Sequence, residues 1–277
     1  MKGRALLIAA IALLAVFAYD AVLRLAVSGV VTLPSVPGGL KMLTAVLALF
    51  SLAHAWYALG ARHTLAFFGL SAAISWAFEQ VGVVTGLVFG AYHYTDYLGP
   101  KLGHVPYLIP LAWFMMIYPS YIIANLTLSR RPTGTPRGPV ALVQLAAVSA
   151  AVMTVWDLVV DPILSGPSAR AWIWESGGPY FGIPIQNYLG WLATTFTVYL
   201  AYRAIEQRVA PEPDFAGSMP GWVAALPVTA YALMLASNLL SGVTPAGVAP
   251  IGLVAMGIPI AVATVRLWRI RSPEAAQ

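Results

Sequence analysis

Apolar residues come in long runs, about 5–27, 40–59, 64–87, 106–128, 139–161, 186–206, 220–240 and 247–266. Each run is close to the ~20 residues that a helix needs to cross a bilayer. Clusters of proline and glycine separate them: Pro34/Pro37/Gly38/Gly39, Pro132 to Pro139, Pro162 to Pro184, and Pro211/Pro213. The pattern predicts an all-α fold, a polytopic membrane bundle of about eight transmembrane helices. It forms one integral membrane domain over 1–277. Pro227 and Pro259 fall inside spans and predict kinks, which a packed bundle tolerates. Lys2 and Arg4 ahead of an apolar core ending near Ala18 resemble a signal peptide. The run continues through Val31 with only Asp20 and Arg24 interrupting it, so a retained first helix is expected.

Composition supports this reading. The chain is 60% hydrophobic and 9% charged, where a soluble domain carries about 25% charged residues. The net charge of +5 reads as membrane orientation rather than nucleic-acid binding. With alternating helices, Arg24, Lys41, Lys101 and Arg170 fall on one side and the other eleven lysines and arginines on the opposite side. The positive-inside rule then puts both termini in the cytoplasm of a multi-pass plasma-membrane protein. Glu206, Glu212, Asp214 and Glu274 share that inner side, while Asp20, Glu79, Asp96, Asp157, Asp161 and Glu175 fall in the outer half or outer loops. There is no cysteine, which excludes disulfides, thiol nucleophiles and cysteine-ligated metals.

Polar chemistry concentrates in two stretches, Glu79 to Pro110 and Trp156 to Trp191. Both converge on the outer end of the bundle, with Glu79 roughly 23 Å along its helix at 1.5 Å per residue. Asp157 and Asp161 are four apart and share a helix face, with Pro162 predicted to end the helix. Two such carboxylates do not comfortably coexist as charges, so one stays protonated at neutral pH. The plain alternative is a pair of helix-end acids meeting water. Glu79 sits in an apolar span, where an ionisable residue is a functional candidate, or else a structural acid satisfied by a neighbouring helix. No lysine or arginine lies in the predicted interior to pair with it.

Gly82, Gly86 and Gly90 repeat every four residues, a stripe expected to let another helix approach. The cluster Tyr92-His93-Tyr94-Thr95-Asp96-Tyr97 follows. The long loop 162–185 is too aromatic for disorder and is expected to fold back over the helix ends as a lid.

Absences narrow the chemistry. Three lysines, none in a late helix, exclude a rhodopsin-like Schiff base, and four scattered histidines disfavour a di-iron box. No GxGxxG or Walker loop is present. A single DxxxD, on the outside, disfavours a magnesium-diphosphate prenyltransferase. What remains is acid chemistry on an apolar substrate without a cofactor. A buried carboxylic acid protonates an alkene, and aromatic faces stabilise the cation.

At these residues the sequence resembles the membrane carotenoid-biosynthesis family that contains the CruF-type carotenoid hydratases. The segments that carry the resemblance are FEQVGVVTGLVFGAYHYTDYLGPKLGHVPYLIPLAWFMM (78–116) and WDLVVDPILSGPSARAWIWESGGPYFGIPIQNYLGW (156–191), about a quarter of the chain. The resemblance implies hydration of a terminal isopropylidene double bond in an acyclic carotenoid, lycopene-like or C50, giving a tertiary alcohol. It also implies a lipid bilayer and other carotenoid-pathway membrane enzymes as partners, and no nucleic acid.

The residue roles come from the physical argument. Asp157 or Glu79 is the acid. Trp76, Tyr92, Tyr94, Trp156, Trp172, Trp174 and Tyr180 are candidates to stabilise the cation. Asp161, Gln186, Asn187, His93 and Asp96 are candidates to position water. A lycopene-type cyclase begins with the same protonation, and a transporter or carotenoid-binding protein also uses buried acids.

Overall fold

The structure, a computed structural model, describes residues 2–209 and 219–271. Pro211, Glu212, Pro213, Asp214 and Glu274 lie outside the described residues. The first helix, α1 (Lys2–Ala18), runs on through a π-helical turn, Tyr19–Leu23, and a short segment, Arg24–Ala26. The turn coincides with a buried anchor, since Asp20 Oδ1 accepts from Val36 N (2.6 Å) and Arg24 Nε (3.2 Å). There follow α2 (Gly39–Leu59), α3 (Ala61–Thr85), α4 (Leu108–Ser129), α5 (Gly138–Leu164), α6 (Ile185–Arg208), α7 (Gly221–Leu240), α8 (Val248–Ala255) and α9 (Gly257–Arg271). The most deeply buried helix is α4, whose residues from Trp113 to Leu126 are all buried.

Seven spans are long and apolar enough to cross a membrane, with α8 and α9 counted together, and they mark a multi-pass membrane protein. The sequence predicts eight, and the difference is α6. Its inward face carries Asn187, Thr194, Thr195, Arg203 and Glu206, all buried, which lowers its apolarity. It nevertheless runs the length of the bundle. At one end Gln186 Nε2 donates to Gly86 O (3.0 Å), and at the other Gln207 Nε2 donates to Pro136 O (3.1 Å).

Prolines inside three helices strip a carbonyl of its usual partner four residues earlier, and in each case a distant side chain replaces it. Ser51 Oγ donates to Met115 O (2.9 Å) ahead of Pro119. His54 Nε2 donates to Val223 O (2.9 Å) ahead of Pro227, and its Nδ1 accepts from Tyr118 (2.7 Å). Tyr180 Oη donates to Leu158 O (2.9 Å) ahead of Pro162. With that carbonyl satisfied, α5 does not stop at Pro162, as the sequence predicts, but continues to Leu164. At Pro259 the span is only interrupted, at Met256 between α8 and α9, where the backbone stays right-handed helical and Ile260 N still bonds Met256 O (3.2 Å).

The glycine stripe is not a helix–helix seam. Gly86 (φ +69°) caps α3 and Gly90 (φ +101°) lies beyond it, both in backbone conformations that favour glycine. A Cβ on Gly82 would lie 2.6 Å from the Phe89 ring, and one on Gly190 would lie 2.6 Å from the same ring. Phe89 is therefore clamped between α3 and α6.

Two short antiparallel ladders modify the all-helical expectation. Strand β1 (Tyr92–Tyr94) pairs with β4 (Trp172–Trp174), in register Tyr92 to Trp174 and Tyr94 to Trp172. Between them in sequence, β2 (Lys101–Leu102) pairs with β3 (Val105–Pro106). The β1–β4 ladder fastens the loop after α5 to the loop after α3, at the end of the bundle where both acid-bearing helices terminate.

Candidate active site

Glu79 reaches this end from the last turns of α3. Its Oε2 accepts from the Tyr92 and Tyr94 hydroxyls, the latter at 2.8 Å, and its Oε1 accepts from Trp113 Nε1 (3.2 Å). Strand alternation in β1 turns both tyrosines inward together. Burial, and then the Glu79 charge beside them, pushes both phenols well above the usual tyrosine range, which keeps them as O–H donors.

The second half of the site comes from α5, α6 and β4. Asn187 Nδ2 bridges two acids, donating to Asp157 Oδ2 (2.8 Å) and Asp161 Oδ2 (2.7 Å). Asp161 Oδ1 accepts from Trp172 Nε1 (2.8 Å) and Trp174 Nε1 (3.3 Å). Asp157 Oδ1 is buried and has no hydrogen-bond partner among the described residues. Thus Glu79 and Asp161 each receive three donors, and Asp157 receives one.

All three carboxyls line one cavity of about 210 Å³. That is smaller than the roughly 300–1,000 Å³ of pockets that enclose a drug-sized ligand. Its walls include Phe89, Tyr92, Tyr94, Trp113, Trp156, Trp172, Trp174 and Trp191. Trp113 and Trp191 stack with ring centres 4.1 Å apart, and Trp156 meets Trp191 edge-on at 5.8 Å. The opposite helices add Phe17, Leu40, Leu43, Met234 and a polar group of Thr44, Ser237, Asn238 and Ser241. Among the described residues, no group of three or more His, Cys, Asp and Glu is arranged to hold a metal ion.

Of the sequence-predicted site residues, Glu79, Asp157, Asp161, Tyr92, Tyr94, Trp156, Trp172, Trp174 and Asn187 line the cavity. Five others do not. Trp76 donates to Leu102 O (3.3 Å) on the outer surface of α3. His93 points away from the tyrosines that flank it and pairs with Glu175 (3.3 Å), both half-exposed. Asp96 is exposed beside Lys101 (3.6 Å). Gln186 closes the loop after α3 through the carbonyls of Gly86 and Leu87 (2.5 Å). Tyr180 is held on the Leu158 carbonyl. Burial, with Asp157 and Asp161 nearby, pushes its phenol up to about 12.

Phe89, Trp113, Trp191 and Asn238 also line the cavity, with no role predicted for them from the sequence. Trp191 follows Asn187 by four residues and so shares its helix face. Asn238 is the lone amide in an apolar helix, the same signal that singled out Glu79. The expectation that no cation enters the interior also fails. Arg203 is fully buried and pairs with Glu206 (2.8 Å), although near the far end of α6 from the cavity.

The fold and the cavity define a multi-pass membrane bundle with buried acids in an aromatic chamber. The sequence matches the carotenoid biosynthesis protein family over residues 38–259, and the chain belongs to that family. It is also similar to the bisanhydrobacterioruberin hydratase of Haloarcula japonica, with 36% identity over 129 residues, 46% of this chain. The match spans 41% of that relative. No solved structure matches the chain.

Proposed function

We propose that the protein is a carotenoid hydratase that adds water across the terminal isopropylidene C=C of an acyclic carotenoid. The observation that carries this reading is the unequal hydrogen bonding of three carboxyls around one aromatic cavity. An acid that receives three donors is satisfied as the carboxylate, whereas Asp157, with one donor and a free Oδ1, is suited to hold the proton. The name of the Haloarcula relative supports the same reaction.

In the proposed sequence Asp157 Oδ1–H protonates the less substituted alkene carbon. The π bond breaks, a C–H bond forms and a tertiary cation remains. The ring faces of Trp113, Trp156 and Trp191 and the charges of Glu79 and Asp161 stabilise it. Water forms the C–O bond, and the excess proton returns to the Asp157–Asp161 pair. Nothing is oxidised or reduced, and one water is consumed per end.

Purified protein in detergent, given lycopene under anaerobic conditions, is expected to add one labelled oxygen per reacting end from H₂¹⁸O, with no nicotinamide, flavin or metal added. A strict requirement for O₂ would rule the hydratase out, and a cyclised, unlabelled product would replace it with a cyclase.

Orientation is part of the same proposal. With α6 counted as a pass the chain makes eight, its termini share a side, and the distribution of basic residues supports the cytoplasmic side. A reporter fused after Gln277 should be active only on the cytoplasmic side. Activity of a fusion that works only outside the membrane would overturn this.

A further inference from the structure

We propose that Asn238 is the binding site of the water that attacks the cation, a positioning role that rests on the hydratase reading above. Hydration needs a water molecule held in a chamber whose remaining wall on this side is hydrocarbon: Phe17, Leu40, Leu43 and Met234. Most of the cavity's polar groups are already engaged. The Nδ2 of Asn187 serves both aspartates, and the donors around Glu79 and Asp161 all point at carboxylate oxygens. Gln186 lies outside the cavity.

Two donors of the cavity lining, Asn238 Nδ2 and Trp156 Nε1, are buried with no partner among the described residues, and of the two only Asn238, 8% exposed, also offers a side-chain acceptor oxygen. A buried amide left unpaired is costly, so a site that keeps one in an apolar helix is arranged for a ligand that can satisfy it. The neighbouring groups fit water rather than an ion. Ser237, Ser241 and Thr44 also line this wall, and all are neutral hydroxyls. Ser241 Oγ donates to the Asn238 backbone carbonyl (2.8 Å) and accepts from Val243 N (3.4 Å), and Thr44 Oγ1 donates to Leu40 O (2.9 Å), which leaves an acceptor lone pair on each hydroxyl. Neutral donors and acceptors hold a water without quenching the cation, which a second ionised base at this position would do. Asn238 comes from α7, which carries none of the three acids, so nucleophile and proton are held by separate elements.

The chemistry predicts a specific failure. If Asn238 holds only the nucleophile, removing it leaves protonation intact. The cation then loses a proton to the carboxylate and regenerates the alkene. In D₂O each return in which the carbon's original protium leaves keeps the added deuteron in the recovered substrate.

The experiment uses the full chain in detergent with lycopene in D₂O, comparing wild type, Asn238→Leu and Asn238→Ser. Carotenoid binding is followed by absorbance. In Asn238→Leu, alcohol formation is expected to fall about 100-fold, the scale on which a misplaced reactant costs rate. Lycopene binding should persist, and recovered lycopene should carry deuterium at the terminal alkene. Asn238→Ser, which puts a neutral hydroxyl in place of the amide, should restore much of the hydration. Wild-type hydration in Asn238→Leu would overturn the assignment. So would joint loss of hydration and deuterium exchange in either variant, which would make the residue a packing or substrate contact. A wild-type protein that forms no alcohol would instead sink the hydratase reading, an outcome separable from both.

Discussion

Replacing Asp157 with asparagine is expected to lower turnover by at least about 10²–10⁴-fold, the usual contribution of a positioned acid. An amide has the same shape as the carboxyl and still accepts from Asn187 Nδ2 through its oxygen, so the bridge to Asp161 is preserved. What it lacks is an acidic proton. Lycopene binding and thermal stability should therefore stay near wild type while product formation disappears.

Glu79→Gln tests the other half of the site. The amide oxygen still accepts from Tyr92 and Tyr94, but the amide nitrogen that replaces Oε1 cannot accept from Trp113 Nε1, and the negative charge proposed to face the cation is gone. Most activity should be lost from a folded protein. The D₂O exchange distinguishes the two variants: Glu79→Gln should keep some deuterium incorporation, since the acid remains, and Asp157→Asn should show none. Exchange that survives in Asp157→Asn and vanishes in Glu79→Gln would transfer the acid role to Glu79.

Much of the site is legible because membrane insertion penalises buried polar groups. Glu79, Asp157 and Asp161 stand out against apolar helices, and alternating helix directions bring them to one end. The residues that sort differently do so for local geometric reasons. In Tyr92-His93-Tyr94 the backbone is extended, so alternate side chains face opposite ways and His93 leaves the site that its neighbours enter. Trp172-Ile173-Trp174 alternates in the same manner. These two period-two runs were visible in the sequence, but their pairing depends on strands about 80 residues apart. Gln186 and Asn187 differ by one helical step, roughly 100°, which separates a loop tie from an acid bridge. The partners of the proline-freed carbonyls are not legible at all. Ser51 and Met115, His54 and Val223, and Tyr180 and Leu158 meet only once the bundle packs, and the last pair removes Tyr180 from the cavity.

Breaking the buried ion pair at the other end should produce the largest loss of stability. Arg203 Nη1 donates to Glu206 Oε2 (2.8 Å), Nη2 donates to Asn125 Oδ1 (2.8 Å), and the guanidinium lies 4.1 Å over the Tyr121 ring. Tyr121 in turn donates to Glu206 Oε1 (2.5 Å). The cluster joins α4 to α6 and, through Asn125 Nδ2 to Pro132 O (3.1 Å), holds the following loop. Arg203→Met keeps most of the side-chain volume but leaves Glu206 as a buried charge with one hydroxyl donor. The expected destabilisation is about 3–5 kcal/mol, as for other buried pairs cut on one side. The double variant Arg203→Met/Glu206→Gln removes both charges and should recover much of that loss, because the uncompensated charge, rather than the missing attraction, dominates the single variant. Thermal unfolding in detergent measures both. Any turnover per folded molecule should change little, since Asn187 and Arg203 are 16 residues apart on α6, roughly 24 Å at 1.5 Å per residue. A single variant as stable as wild type, or a double variant worse than the single, would show that the cluster is hydrated and that packing rather than charge holds this end of the bundle together.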